Sequence, residues 1–186
     1  LERYAKAYDS YKRLRDTAVI GDNRNAALFG MMRSAFRARD WNAASAASDA
    51  VAGISGISVD EKRECDYVKA KSLLASSRRE EALSLFKTLS AQPATDEGAE
   101  ARYILIQDAF DRADYASVQQ GVFDFSDKSG GQNYWLARAY ITLADTFLQL
   151  GKDEQAKATL ESIRDGYTPD RPDDDIQDLV PARLYK

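Results

Sequence analysis

The sequence predicts an all-α fold of about four helical hairpins with no β-sheet. Three observations predict it. Apolar residues recur at steps of three and four along nearly every stretch, which is the spacing of one helix face. The stretch Tyr134–Thr168, YWLARAYITLADTFLQLGKDEQAKATLESIRDGYT, holds two such patterns that meet at Gly151. A small or branched residue early in the second pattern recurs as Ala7, Ala44, Ala82, Val118 and Ala156, at intervals of 37, 38, 36 and 38 residues. Four positions after each mark stand Tyr11, Ser48, Phe86, Val122 and Leu160, and seven after it Leu14, Val51, Leu89, Phe125 and Ile163. Ser48 is the weak fit. One hairpin cannot bury its own apolar faces, so a period of this length means stacked copies.

Leu1–Val19 reads as a second helix without its first, with Tyr4, Ala7, Tyr8, Tyr11 and Leu14 on one face. Gly21-Asp22-Asn23 is expected to end it and cap the next helix. Asn25–Arg39 is a first helix, with Leu28, Met31, Met32 and Ala35 inward; the methionine pair fills core space. Asp40 caps Trp41–Val51, a helix rich in Ala and Ser that packs closely. After a turn at Gly53–Gly56, Ser58 and Glu61 make a capping box that opens a helix to Ser76. Ser77-Arg78-Arg79-Glu80 is expected to repeat the box and open Glu81–Ala91, with Pro93 ending the unit. Thr95-Asp96 caps Glu97–Arg112, and Asp114 caps Tyr115–Phe125. Gly130-Gly131 belongs to a plain loop, because a phosphate cradle needs a preceding strand and a Gly-Lys-Ser/Thr pattern.

In the final hairpin Tyr140, Leu143, Ala144, Phe147 and Leu150 line the first helix, and Ala156, Leu160 and Ile163 the second. Gly151 is the natural left-handed residue between them. Asp173-Asp174-Asp175 is expected to be an acidic helix cap, since it lacks the alternate Asp, Gly and closing Glu of a calcium loop. Ile176, Leu179 and Leu184 would then form a short helix over the open end of the array, limited or kinked by Pro181. The repeats fall at about 23–53, 59–91, 95–128 and 132–167, between the unpaired helix at 1–19 and a capping segment at 168–186, in one domain.

Small-x3-large-x2-apolar on the second helix resembles the tetratricopeptide repeat, whose period is about 34 residues. Each unit here would carry two to four extra residues at a turn. The resemblance implies an α-α superhelix whose first helices line a concave groove that binds peptides or partner proteins. By position it puts Phe29, Arg33, Phe36 and Arg37, then Glu64, Tyr67, Lys71 and Leu74, on that groove. Glu100, Tyr103, Gln107 and Phe110 follow, then Arg138, Ile141, Asp145 and Leu148. Arg33 and Lys71 stand where a carboxylate clamp would project, but the asparagines that such a clamp pairs with them are missing. The wording AEARYILIQDAF and YWLARAYITLADTFLQLGKDEQAKATL also resembles large bacterial repeat proteins of the cell envelope, which implies an exported scaffold, periplasmic or associated with the outer membrane.

Composition narrows the function classes. Histidine is absent and Cys65 stands alone, which removes Ser/His and Cys/His dyads, the common zinc sets and any internal disulfide. No cofactor or metal is expected. No run approaches the roughly 18 apolar residues of a membrane span, so no insertion by this segment is expected. Leu1-Glu2-Arg3-Tyr4 begins inside a charged amphipathic helix rather than a signal peptide, and the chain is expected to be a fragment of a longer one. Residues 1–40 carry nine Lys/Arg and five Asp/Glu, while 150–186 carry six and nine. A helical repeat that binds nucleic acid would suit the basic end, but a pI near 5.0 argues against it.

The leading expectation is a non-enzymatic scaffold that binds another protein or peptide. The groove set that carries this expectation is Phe29, Arg33, Phe36, Arg37, Tyr67, Lys71, Tyr103, Gln107, Phe110, Arg138 and Asp145. The alternatives are a purely architectural spacer and a carboxylate-based helical enzyme. The latter wants a deep pocket that an array of this size is not expected to hold.

Overall fold

Caps, stop residues and apolar period act together along this chain, and each helix can be traced to them. The computed structural model describes residues 1–169 and 171–184, and among these there is helix and turn but no strand. Asp170, Tyr185 and Lys186, part of the expected capping segment, lie outside the described residues. The helices are α1 (Glu2–Thr17), α2 (Gly21–Ala38), α3 (Trp41–Ala52), α4 (Val59–Ala75) and α5 (Arg79–Leu89). They continue as α6 (Asp96–Asp111), α7 (Tyr115–Ser126), α8 (Asn133–Gln149), α9 (Asp153–Gly166), α10 (Ile176–Leu179) and α11 (Pro181–Leu184). Four hairpins result, α2–α3, α4–α5, α6–α7 and α8–α9, each packed along its own seam.

The four hairpins share one turn. Arg39, Ser77, Ala113 and Gly151 take left-handed φ values of 60°, 62°, 56° and 68°. Each donates its N–H three residues back, and the next residue donates five back: Asp40 to Ala35, Arg78 to Leu73, Asp114 to Ala109 and Lys152 to Phe147, at 2.8–3.0 Å. These bonds satisfy carbonyls that a helix end would leave unpaired. Only Gly151 adopts this conformation without strain. The other three meet a Cβ penalty of about 1–2 kcal/mol each, which the two backbone bonds and the packed hairpin offset.

Side-chain caps open α3, α4, α6 and α7. Asp40 accepts from the Ala43 N–H at 3.0 Å, Thr95 from Gly98 at 3.2 Å and Asp114 from Ser117 at 3.2 Å. At Ser58 the box is complete: Glu61 N–H donates to the Ser58 hydroxyl, and Ser58 N–H donates to the Glu61 carboxylate at 2.7 Å. These bonds hold the Glu61 carboxyl below its ordinary range.

Two expected caps are corrected. Gly21-Asp22-Asn23 does not separate two helices, because the break is extended backbone at Ala18 and Ile20 and α2 begins at Gly21. Ser77 forms no second capping box. It is the left-handed residue that closes α4, so its backbone is committed to the turn, and Arg78 pairs with Glu81 instead. The acidic run does open a short helix: Asp175 is the N-cap residue of α10 and Asp174 accepts the Ile176 N–H at 3.0 Å, while the Asp175 side chain makes no cap and pairs with Arg138.

The helices gather into two compact units, Leu1–Leu89 and Ser90–Lys186. In the first, Met32, Ala35, Ala44, Val51, Cys65 and Val68 form the core, with Tyr8, Leu28 and Phe29 packed against it. In the second, Val118, Val122, Phe125, Leu143, Ala144 and Leu160 form the core. The repeat marks of the four hairpins are buried throughout, from Ala44 at 0% to Ile163 at 8% exposure. Even Ser48, at 1%, is accommodated by donating its hydroxyl to the Ser45 carbonyl at 2.8 Å. Ile176 and Val180 join the core of the second unit, and α10 ends before Pro181, which begins α11.

Candidate functional site

First helices carry the expected groove residues, and each unit presents its own set. In the first unit, α2 and α4 lie close enough for their side chains to pair. Arg33 on α2 donates two bonds of 2.7 Å to the Glu64 carboxylate on α4. Those bonds hold the guanidinium above its ordinary value against the opposing effect of burial. Its cationic carbon also sits 5.4 Å from the Phe29 ring centroid. Phe36 meets Tyr67 edge-on at 6.1 Å and Trp41 at 5.8 Å, and the Lys71 ammonium lies 5.9 Å from the Tyr67 ring. Phe29, Phe36, Tyr67 and Lys71 are partly buried. Arg37 is turned away from this cluster and lies 5.9 Å from Tyr4 of α1.

In the second unit, Tyr103 on α6 stacks on Trp135 of α8 at 5.6 Å, and the Arg138 guanidinium lies 5.2 Å from the Tyr103 ring. Gln107 accepts from the Thr142 hydroxyl at 3.4 Å and donates to Asp111 at 3.2 Å. Phe110 leaves this group and packs on Tyr115 at 6.1 Å. The chain end supplies the other partners. Asp175 accepts from Arg138 at 2.9 Å and from the Tyr134 hydroxyl at 3.1 Å. Arg183 makes two bonds to Asp145, at 2.8 and 2.9 Å. Arg171 caps the rings, 4.5 Å from Tyr134 and 5.5 Å from Trp135. Arg138 and Asp145 are therefore satisfied by the protein's own C-terminal segment, and Ile141 is buried.

Residue-by-residue reading missed Trp41, Tyr134, Trp135, Arg171, Asp175 and Arg183. Tyr134 and Trp135 are adjacent, so their side chains leave the helix about 100° apart. Only one of them fits a single-face pattern, yet they meet edge-on at 4.9 Å and both serve the cluster. Arg171, Asp175 and Arg183 lie more than 30 residues from their partners, and no local pattern marks such pairs.

An open cleft of about 700 Å³ lies between α8 and α9. Leu136, Ala137, Tyr140, Thr159, Ser162 and Ile163 are among the residues that line it. No acidic or basic side chain lines it. It offers shape and hydroxyls rather than an acid–base pair. Among the described residues no group of three potential ligands is placed to hold a metal ion. Among the described residues no helix is long and apolar enough to cross a membrane.

What fold and sites define is an all-α protein of helical hairpins that displays aromatic and cationic side chains on its first helices. No family model matches the chain, and neither does any curated protein or solved structure.

Proposed function

We propose that this protein is a tetratricopeptide-like scaffold that binds a peptide or partner protein along its first-helix faces. The observation that carries the reading is the partly buried cluster of Phe29, Phe36 and Tyr67 with Arg33 and Lys71 against the rings. Rings already held in place lose little entropy when they bind, and a ring beside a cation suits an anchor with a polar rim. Lys71 and Arg33 favour acidic residues in the ligand. Tyr103, with Arg138 above it, offers the same chemistry on the second unit.

The architectural alternative draws on a different observation. Arg33 is matched by Glu64, and Asp145 by Arg183, so these charges also serve the fold. Selection from a displayed peptide library, followed by crosslinking of the selected ligand, separates the two readings. Under the scaffold reading Tyr67→Ala or Tyr103→Ala each costs about 1–3 kcal/mol of affinity with the helix content unchanged. Crosslinks confined to second-helix positions such as Glu81, Lys87 and Lys157 would overturn the groove assignment. A library that yields no ligand would favour the spacer.

A further inference from the structure

In the second unit the charges expected on the groove already have an occupant. Arg138 and Asp145 stand seven residues apart on α8. Residues 171–184 lie across this hairpin, with α10 against α8 and α11 against α9. Asp175 accepts from Arg138 at 2.9 Å, and Arg183 donates to Asp145 at 2.8 and 2.9 Å. Between these two ion pairs, Ile176 and Val180 are each 1% exposed and belong to the core of the unit. Ahead of them Arg171 lies over the Tyr134 and Trp135 rings. The segment thus makes the contacts that a bound peptide would make: two charged ends and an apolar middle.

This docking has a direction and a pattern. Along α8 the cation comes first, and along the segment the carboxylate comes first. The charges therefore complement each other only when both run in the same order. A reversed segment would bring Asp175 toward Asp145 and Arg183 toward Arg138, like charge against like. The ion pairs are partly exposed, so they give direction and selectivity more than strength. The hold comes from the two aliphatic side chains. A ligand that offered only an acidic residue would leave Asp145 without its cation and the apolar surface uncovered. What fits is a carboxylate followed one and five residues later by aliphatic side chains, and eight residues later by an arginine.

We infer that residues 171–184 are a built-in competitor for the ligand face of the second unit, and that the partner they hold off is a peptide segment of this same acidic–aliphatic–arginine pattern. The inference rests on the first-helix reading proposed above. A tethered segment competes at an effective concentration on the order of millimolar, so a partner segment binds well only when the internal one is released. The probe is a labelled peptide of residues 171–184, RPDDDIQDLVPARL. The host is the full chain with a protease site inserted between Thr168 and Pro169, both exposed. The cut protein should exchange its fragment for the peptide and bind it saturably, and the intact protein should bind it at least about tenfold more weakly. Peptides carrying Asp175→Ala or Arg183→Ala should bind the cut protein several-fold more weakly than the parent peptide. In the intact chain, Asp175→Ala/Arg183→Ala should leave circular dichroism unchanged, speed hydrogen exchange in α10 and α11, and admit the peptide. A cut chain that unfolds, or that never exchanges its fragment, would overturn the inference, because the segment would then be a fixed part of the core. Equal binding of all three peptides would overturn the pattern. Dimers of the intact chain that the double variant dissolves would overturn the partner, because the occupant would be a second copy. None of these failures touches the first-unit cluster, which the displayed library tests through Tyr67.

Discussion

Ala113 and Gly151 hold the same backbone conformation at the same place in their hairpins, with φ of 56° and 68° and the same pair of closing hydrogen bonds. One pays for its Cβ and the other has none. Ala113→Gly should therefore stabilise the second unit by roughly 0.5–1 kcal/mol, after the entropy that glycine adds to the unfolded chain. Gly151→Ala should destabilise by about 1 kcal/mol, although nothing lies within 4 Å of the added Cβ. Chemical denaturation of both variants checks the pair, and equal shifts of one sign would refute it.

Gly30→Ala should loosen α1, although alanine is the better helix former by about 1 kcal/mol. A Cβ at Gly30 would lie 2.4–2.5 Å from three ring atoms of Tyr11. The double variant Gly30→Ala/Tyr11→Ala should recover the loss. Hydrogen exchange in α1 reads the effect, and faster exchange that persists in the double variant would contradict the contact.

Ile176→Ala should destabilise the second unit by roughly 2–5 kcal/mol. The side chain is 1% exposed and belongs to the core, although it lies near the chain end. Arg183→Ala should cost less, because its pair with Asp145 is only partly shielded from water. Thermal unfolding that ranks the two variants in the opposite order would show that charge, not burial, seats the segment.

Burial pushes the Cys65 thiol up to about 11, and nearby Glu64 and Asp66 act in the same direction. The thiolate is the reactive form. Alkylation near pH 8 should therefore be slow in the folded protein and fast in denaturant. The raised value also fixes a sign. Below the ordinary value of 9.0 the thiol is protonated in both states; between there and about 11 only the unfolded state ionises. Stability from this group should thus fall as pH rises through that window, by comparison with Cys65→Ala. An identical pH profile for both proteins would contradict the shift.

Local sequence determined the helices, the register of the second-helix marks and most of the caps. Each rests on interactions within a few residues: the 3.6 period that puts Ala156, Leu160 and Ile163 on one face, and the reach of Asp40 or Ser58 to a backbone N–H three positions on. The first-helix positions of Phe29, Phe36, Tyr67 and Tyr103 were legible for the same reason. What tertiary structure decided is what those faces meet. Arg39, Ser77 and Ala113 take a conformation that only glycine advertises in a sequence, because the packed hairpin holds them there. Asp175 stands at the start of α10, but its carboxylate turns to Arg138 and Tyr134, 37 and 41 residues away, instead of capping the helix. Ala7 and Leu14 carry the same pattern as Ala156 and Ile163 but are less buried, because periodicity records which face a residue occupies and not how fully it is covered.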